Sequence, residues 1–445
     1  MGGCFSKKSI NKENLVFSQE KNNCVSNLPN TVTNFSMNPY TNMEGGNKGF
    51  SNYSAVNYDR RRLSVSQSDP VNDSDINDIP RGRAVFNASY KDSPQFKPSE
   101  FMTPSGIHNG ILNDFNNQKA DSFELGNSRR RLSVTGMLSQ RAQETFESKA
   151  EEVIGNDSGN SELQRGIGYV CRKGLKPESP NQDDFFILKT ENWGLFGVFD
   201  GHGPFGHDVS NFIQKDMPAL ILKDKQWKTH PQDVLHYAFI KANQRLQEHV
   251  LETNQFDCSL SGTTATVILH LPLENRIIAA HVGDSRSVLA RWSRSGRVLE
   301  AVDLTNDHKP NSESEKRRII AAGGQVKRIE GDIPYRVFIK GKMYPGLAMS
   351  RAIGDTLGYQ AGIIPEPDIN TFQIQPEKDA FILICSDGVW EFISSQEAVD
   401  IVAEGGSSDA QLSAEKLARE AWRRWIQEEG NVVDDITVQV IYLQS

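Results

Sequence analysis

Residues 197–207 read GVFDGHGPFGH. An apolar run beginning at Gly194 (GLFGVFD) stops on Asp200, turns through Gly201, His202 and Gly203, and leads into HDVSNFIQKDMPALIL, whose apolar positions recur at helical spacing. That is a strand delivering an aspartate and a histidine to its end, with a helix packed behind. Other strand ends repeat the pattern. Asp387 ends FILIC as CSDG, Asp434 opens the last strand as DDIT, Asp183 opens an early one as NQDD, and Asp284 follows AHVG. A single Asp-Gly at a strand end reads as an ordinary turn. Five carboxylates at the rims of strands from distant parts of the chain read as one site built on a rigid frame.

Working outward, GIGYV, DFFILK, TTATVILHL, RIIAAHVG, SVLARW, FILIC and DDITVQVIYL have the length and β-branched content of strands. WKTH to LQEHVLE, SSQEAVDIVAE and SAEKLAREAWRRWIQEE read as helices, and SESEKRRIIAAGG as a helix with Ser312 as N-cap, Glu315 completing a capping box and Gly323 past its end. Strand clusters separated by helix pairs predict sheets flanked by helices, not a repeating βαβ array. Lys327 to Pro345 shows no clear period and reads as a long surface loop.

The rim carboxylates come without cysteine partners. Oxygen donors of this kind select hard cations, Mg²⁺ or Mn²⁺. Five cysteines, at 4, 24, 171, 258 and 385, form no CxxC pair, which excludes a zinc ribbon or a disulfide framework and fits a reducing compartment. With 49 basic against 57 acidic residues and a net charge of -8, the chain is not a dedicated nucleic-acid binder. Its apolar runs are strand-sized, far short of the roughly 20 residues of a membrane helix.

The first 160 residues have another character. MGGCFSKK matches a myristoylation signal at Gly2, with Cys4 placed for palmitate and Lys7 and Lys8 beside it. One myristoyl chain binds membranes only marginally, so the second acyl chain and the lysines complete the anchor. Residues 1–8 are therefore a lipidation signal, predicting residence at the cytoplasmic face of a membrane, the plasma membrane above all, beside a cytosolic pool. From 9 to 160 Asn and Ser dominate, and the segment reads as a disordered regulatory tail with a short helix over 134–152. RRRLSVS at 60–66 and RRRLSVT at 129–135 place arginines two and three residues before Ser64 and Ser133, the pattern of a basophilic-kinase acceptor. Phosphate there adds about -1.5 to -2 charge beside three arginines.

In order and spacing, RKGLKPESPNQDDF, GVFDGHGPFGH, SGTTATV, AHVGDSRSVL, DHKP, LAMSRAIGD, PEPDI, CSDGVWEF and DDITVQV resemble the metal-dependent protein phosphatase 2C family over roughly Gly166 to Leu443. The resemblance implies an α+β fold, an α-β-β-α sandwich of two antiparallel sheets flanked by helices, with 161–445 as the catalytic domain. It implies hydrolysis of phosphoserine and phosphothreonine in proteins by water activated between two Mg²⁺ or Mn²⁺ ions, without a covalent enzyme intermediate, and Lys327 to Pro345 corresponds to a variable flap.

Carried onto this sequence, the resemblance makes Asp200 the carboxylate shared by both cations, gives the backbone oxygen of Gly201 to the second, and gives Asp387 and Asp434 to the first. Asp183 joins through water, Asp284 and Glu391 line a weaker third position, and His202 is the general acid. Glu391 replaces an Asp of many members and Gln182 a Glu. A phosphate-binding Arg is expected just before NQDD, where this chain has KPESP, which leaves Arg172, Lys173 and Lys176 as candidates. The expected partners are phosphoproteins, a basophilic kinase and a membrane surface, for a monomer. Two other readings are a phosphoprotein-binding pseudophosphatase and a membrane signalling scaffold, and metal-dependent turnover separates both from the enzyme.

Overall fold

The computed structural model describes residues 131–138, 146–154, 166–176, 179–404 and 409–443. The anchor at Gly2 and Cys4, the tail as far as residue 130 and Ser64 lie outside the described residues.

The apolar runs become two sheets. The first has the order β15 (Asp368–Gln373), β8 (Arg276–Val282), β7 (Ala265–Leu271), β5 (Gly194–His202), β4 (Asp183–Thr190), β1 (Arg131–Gly136) and β2 (Glu151–Ile154), with the short β6 (Gly262–Thr263) and β14 (Ile353–Gly354) attached beside β5. The second has the order β10 (Leu299–Asp303), β9 (Arg286–Trp292), β16 (Asp379–Cys385), β17 (Ile436–Tyr442) and β3 (Ile167–Arg172). All pairings between these strands are antiparallel.

Both faces of each sheet are covered, which is why the central strands are apolar almost without interruption. In β4, Phe185 and Ile187 point between the sheets with Phe196, Val198, Leu289, Ile382, Ile384 and Ile441. Phe186 and Leu188 point the other way, toward α1 (Gly206–Lys223) and α2 (Pro231–Thr253). On the far side, α4 (Asp387–Trp390), α5 (Ser395–Ala403) and α6 (Ala410–Glu429) pack Val389, Val399, Leu417 and Trp425 against Leu383 and Val438. Each such side chain contributes about 1.5–3 kcal/mol when fully buried. The layers are thus helix, sheet, sheet, helix, as expected.

Three expectations change. The described fold already includes residues 131–136, ahead of the boundary expected at 161. Leu132 and Val134, two residues apart, enter the core between the sheets, so RLSVTG is a strand, and none of the described residues of the expected helix over 134–152 is helical. Ser133 therefore lies in β1, with Leu188 and Ile154 opposite it on its two sides.

The second change is at the cap of α3 (Glu313–Ala321). Ser312 stands at the N-cap without a side-chain bond, and the Glu315 carboxylate that would complete a capping box is engaged by Arg318, Arg351 and Ser350. The capping box occurs at α5 instead, between Ser394 and Glu397. The third is the segment 327–345. It carries the middle strand and parts of the flanking strands of a small antiparallel sheet, β11 (Gly324–Arg328), β12 (Tyr335–Ile339) and β13 (Pro345–Leu347), with Ile319, Val337, Leu347 and Ile363 as its own core. Among the described residues no helix is long and apolar enough to cross a membrane.

Candidate active site

Register puts the first two acids together. β4 and β5 run antiparallel with Asp183 opposite Asp200, at the end where β5 turns into Gly201 and His202. The second sheet supplies its acids at the same rim, where β16 and β17 are neighbours: Asp387 follows β16 after Ser386, and Asp434 and Asp435 precede β17. Two hydroxyls stitch the sheets at this end. Ser386 Oγ and Thr437 Oγ1 each donate to Asp183 Oδ2 at 2.7 Å.

The acids crowd one another. Burial first, then repulsion from Asp387, Asp183, Asp434 and Asp284, holds the Asp200 carboxyl well above the usual carboxylate range. Asp183 is raised by burial and by Asp435, against the lowering effect of its two hydroxyl bonds. Lys176 pairs with Asp434, and Lys309 Nζ donates to Asp284 Oδ2 at 2.6 Å. Asp284 Oδ1 is buried with no hydrogen-bond partner among the described residues.

Among the described residues no three His, Cys, Asp or Glu side chains enclose an ion as they stand. The donor chemistry nevertheless fits hard cations. Six acids (Asp183, Asp200, Asp284, Asp387, Asp434 and Asp435) gather at one rim, and their mutual repulsion is what positive charge relieves. Glu391 follows Asp387 by one helical turn, with Glu391 N bonded to the Asp387 carbonyl. Gly201 N is held by the Gln182 carbonyl at 3.1 Å.

His202 has a partner that the motif reading left without a role. Its Nε2 lies 2.6 Å from Oδ2 of Asp355, a buried residue at the end of LAMSRAIGD. Burial alone would lower the imidazole, but the charge and hydrogen bond of Asp355 outweigh it and raise the pKa above the ordinary histidine value. In the protonated ring both nitrogens donate; Nε2–H serves Asp355, and Nδ1 is buried with no hydrogen-bond partner among the described residues. The pair passes directly over Gly262, where a Cβ would meet Asp355 Oδ2 at 2.1 Å and His202 Nε2 at 2.8 Å.

Of the three basic candidates, Arg172 is paired with Glu415 at 2.6 Å and stacked on Phe146, and Lys173 is buried. Lys176 pairs with a rim carboxylate, Asp434. Asp435, in the DDIT motif beside Asp434, accepts from Gly174 N and Gln182 N at 2.8 Å each and fixes the loop that carries Lys176.

Comparison with known proteins gives consistent findings. The profile of the family described as Protein phosphatase 2C matches residues 175–430. Probable protein phosphatase 2C 35 of Arabidopsis thaliana is 31% identical over 346 residues, covering 72% of this chain and 94% of that protein. Probable protein phosphatase 2C 34 of the same plant is 33% identical over 365 residues, covering 77% and 97%. The solved serine-threonine phosphatase 2C from Toxoplasma gondii superposes with a TM-score of 0.53 at 19% identity, covering 62% of this chain and 94% of that one, a likeness of fold.

Proposed function

From the premise that this chain belongs to the protein phosphatase 2C family and is a serine/threonine protein phosphatase, we propose that His202 and the rim acids hydrolyse phosphoserine and phosphothreonine without a covalent intermediate. Asp200, the Gly201 carbonyl, Asp387 and Asp434 would hold two divalent cations, Mg²⁺ or Mn²⁺, with Asp183 beside them and Asp284 and Glu391 lining a weaker third position. When bound, such cations neutralise phosphoryl charge and activate water at neutral pH.

The rest falls to the chain's own groups. Lys176, beside Asp434, offers an ammonium to a phosphoryl oxygen in place of an arginine. His202 gives its Nδ1 proton to the departing serine or threonine oxygen, so that no bare alkoxide is expelled. Asp355 holds the ring in orientation and keeps it protonated until that transfer. The observation that carries the reading is the 2.6 Å His202–Asp355 pair set beside the acid cluster that presses on Asp200.

The test is phosphate release from a phosphothreonine peptide by the full chain, with Mn²⁺ or with a chelator, beside Asp200→Asn and His202→Ala. Turnover that needs the cation and is lost in Asp200→Asn is expected. His202→Ala should lose about 10²–10⁴-fold on the peptide while keeping most activity on an aryl phosphate, whose leaving group needs no proton. A parent that binds Mn²⁺ yet releases nothing would make the chain a phosphoprotein-binding module.

The same proposal includes the ends of the chain's organisation. Residues 1–8 are an acylated anchor through Gly2 and Cys4 that holds the enzyme at a cytoplasmic membrane face. The catalytic domain starts at 131, and Ser64 and Ser133 accept phosphate from a basophilic kinase, Ser133 only when its strand is released. Support comes from MGGCFSKK and the repeated RRRLSV. Intact mass of the protein from its own cells showing an unmodified Gly2 would remove the anchor.

A further inference from the structure

A lysine from the segment that sequence assigned to the tail reaches the back of the site. Lys149 is 2% exposed, and its Nζ donates to the Asp183 carbonyl at 2.5 Å and to Asp184 Oδ2 at 3.0 Å. Its chain position is fixed from several directions. Lys149 N donates to the Cys171 carbonyl at 2.8 Å, Phe146 N to the Lys173 carbonyl at 2.8 Å, and the Phe146 ring lies 4.8 Å from that of Trp422. Its stem passes Gly136, where a Cβ would come within 2.0 Å of Asp184 Oδ1. So residues 131–135 pair with β4 in one sheet and 146–149 with the end of β3 in the other, and Lys149 spans the two just below the rim.

A buried ammonium is costly to desolvate, and an ion pair of this kind is weak grounds for stability. What it does fix is geometry. The peptide it grips carries the Asp183 side chain, and the carboxylate it pairs with is the next residue. Asp184 is held on its other side by Asn211 Nδ2 at 2.8 Å. We propose that Lys149 is a positioning residue of the phosphatase, supplied from outside the family-matched region 175–430, which sets the rim end of β4 so that Asp183 meets the cation cluster. The inference rests on the proposed assignment of that cluster. Supporting groups behind cation ligands are typically worth 10–100-fold in metal affinity or activity.

Full-length Lys149→Met leaves the Asp184 carboxylate buried alone, so the decisive variant is Lys149→Met with Asp184→Asn, which removes both charges and keeps an acceptor for Asn211. Mn²⁺ titration calorimetry, without substrate, should give a dissociation constant about 10-fold weaker than the parent's, and kcat/KM on a phosphothreonine peptide should fall by about 10-fold at saturating Mn²⁺. Thermal unfolding should show the double variant folded. Mn²⁺ affinity and kcat/KM within about twofold of the parent in a folded double variant would overturn the proposal. So would a double variant that does not fold, because Lys149 would then serve the fold and not the site. A parent chain that lacks turnover sinks the catalytic assignment, whereas the calorimetric comparison judges Lys149 by itself.

Discussion

In the proposed reaction, proton delivery rests on a contact between residues 153 positions apart, His202 and Asp355. The strand-end acids and His202 were legible in the sequence because each sits in a short local pattern. Asp355 was not, since nothing within LAMSRAIGD tells which imidazole it will meet, and Gly262 was not, since its need is a crossing of two side chains above it. Asp355→Asn should lower kcat on phosphopeptides about 10–10²-fold, a part of the roughly 10²–10⁴ that a general acid supplies. It should also move the alkaline limb of kcat to lower pH: with Asp355 the imidazole stays protonated above its ordinary range, and without that charge burial alone pushes its pKa down. A pH profile on phosphopeptide and on aryl phosphate checks both, the second substrate showing little change. Gly262→Ala should mimic it with the pair displaced, again read by comparing the two substrates.

Among the elements, eight strands of the sandwich were legible from apolar runs and the bodies of α1 and α6 from helical spacing, α6 starting three residues before the expected Ser413; the edge strands β2, β10 and β15 were not read. β1 was not, because six residues in an Asn- and Ser-rich neighbourhood are too few to display a period. The cap of α3 misled for another reason: Glu315 has stronger partners in Arg318 and Arg351 than a backbone N–H. Burial opposes its ionisation, but the bonds from Arg351, Ser350 and Arg318 prevail and bring it down to about 2. A depressed acid contributes stability above its unfolded value near 4.5 and loses it as pH falls toward about 2. Glu315→Gln should therefore cost about 1–3 kcal/mol at pH 7, because two half-buried guanidiniums lose a charged acceptor while Arg351 keeps Asp368 and Arg318 keeps the Ser350 carbonyl. Denaturant titrations of parent and variant should converge as pH drops through that window. For β1, pairing on both sides keeps Ser133 out of an extended kinase groove. A basophilic kinase should label Ser133 in the folded chain at least about 10-fold more slowly than in a peptide of residues 127–138, reflecting the free energy of local opening; site-resolved mass spectrometry would decide.

For the molecule as a whole, the family motifs drew a boundary near residue 161 that the fold does not respect. A chain starting there exposes the edge of β4 and leaves Asp184 without Lys149, so it should unfold about 10 °C below a chain starting at 126 and precipitate more readily. Differential scanning calorimetry of the two chains is the check. The layered architecture was readable because long apolar strands and amphipathic helices announce which faces must be covered. The suture across the sheets was not, since it joins residues that only the finished sandwich brings near. Register gives that suture a mechanical meaning. Arg131 lies opposite Thr190 and Thr135 opposite Phe186, so the chain coming from the N-terminal side enters at the end of β4 farthest from Asp183. Were Gly2 acylated as proposed, tension on the tether would load the Arg131–Thr190 rung first and the Thr135–Phe186 rung last. The outer rungs would then act as a fuse, peeling under force before any strain reached the carboxylates.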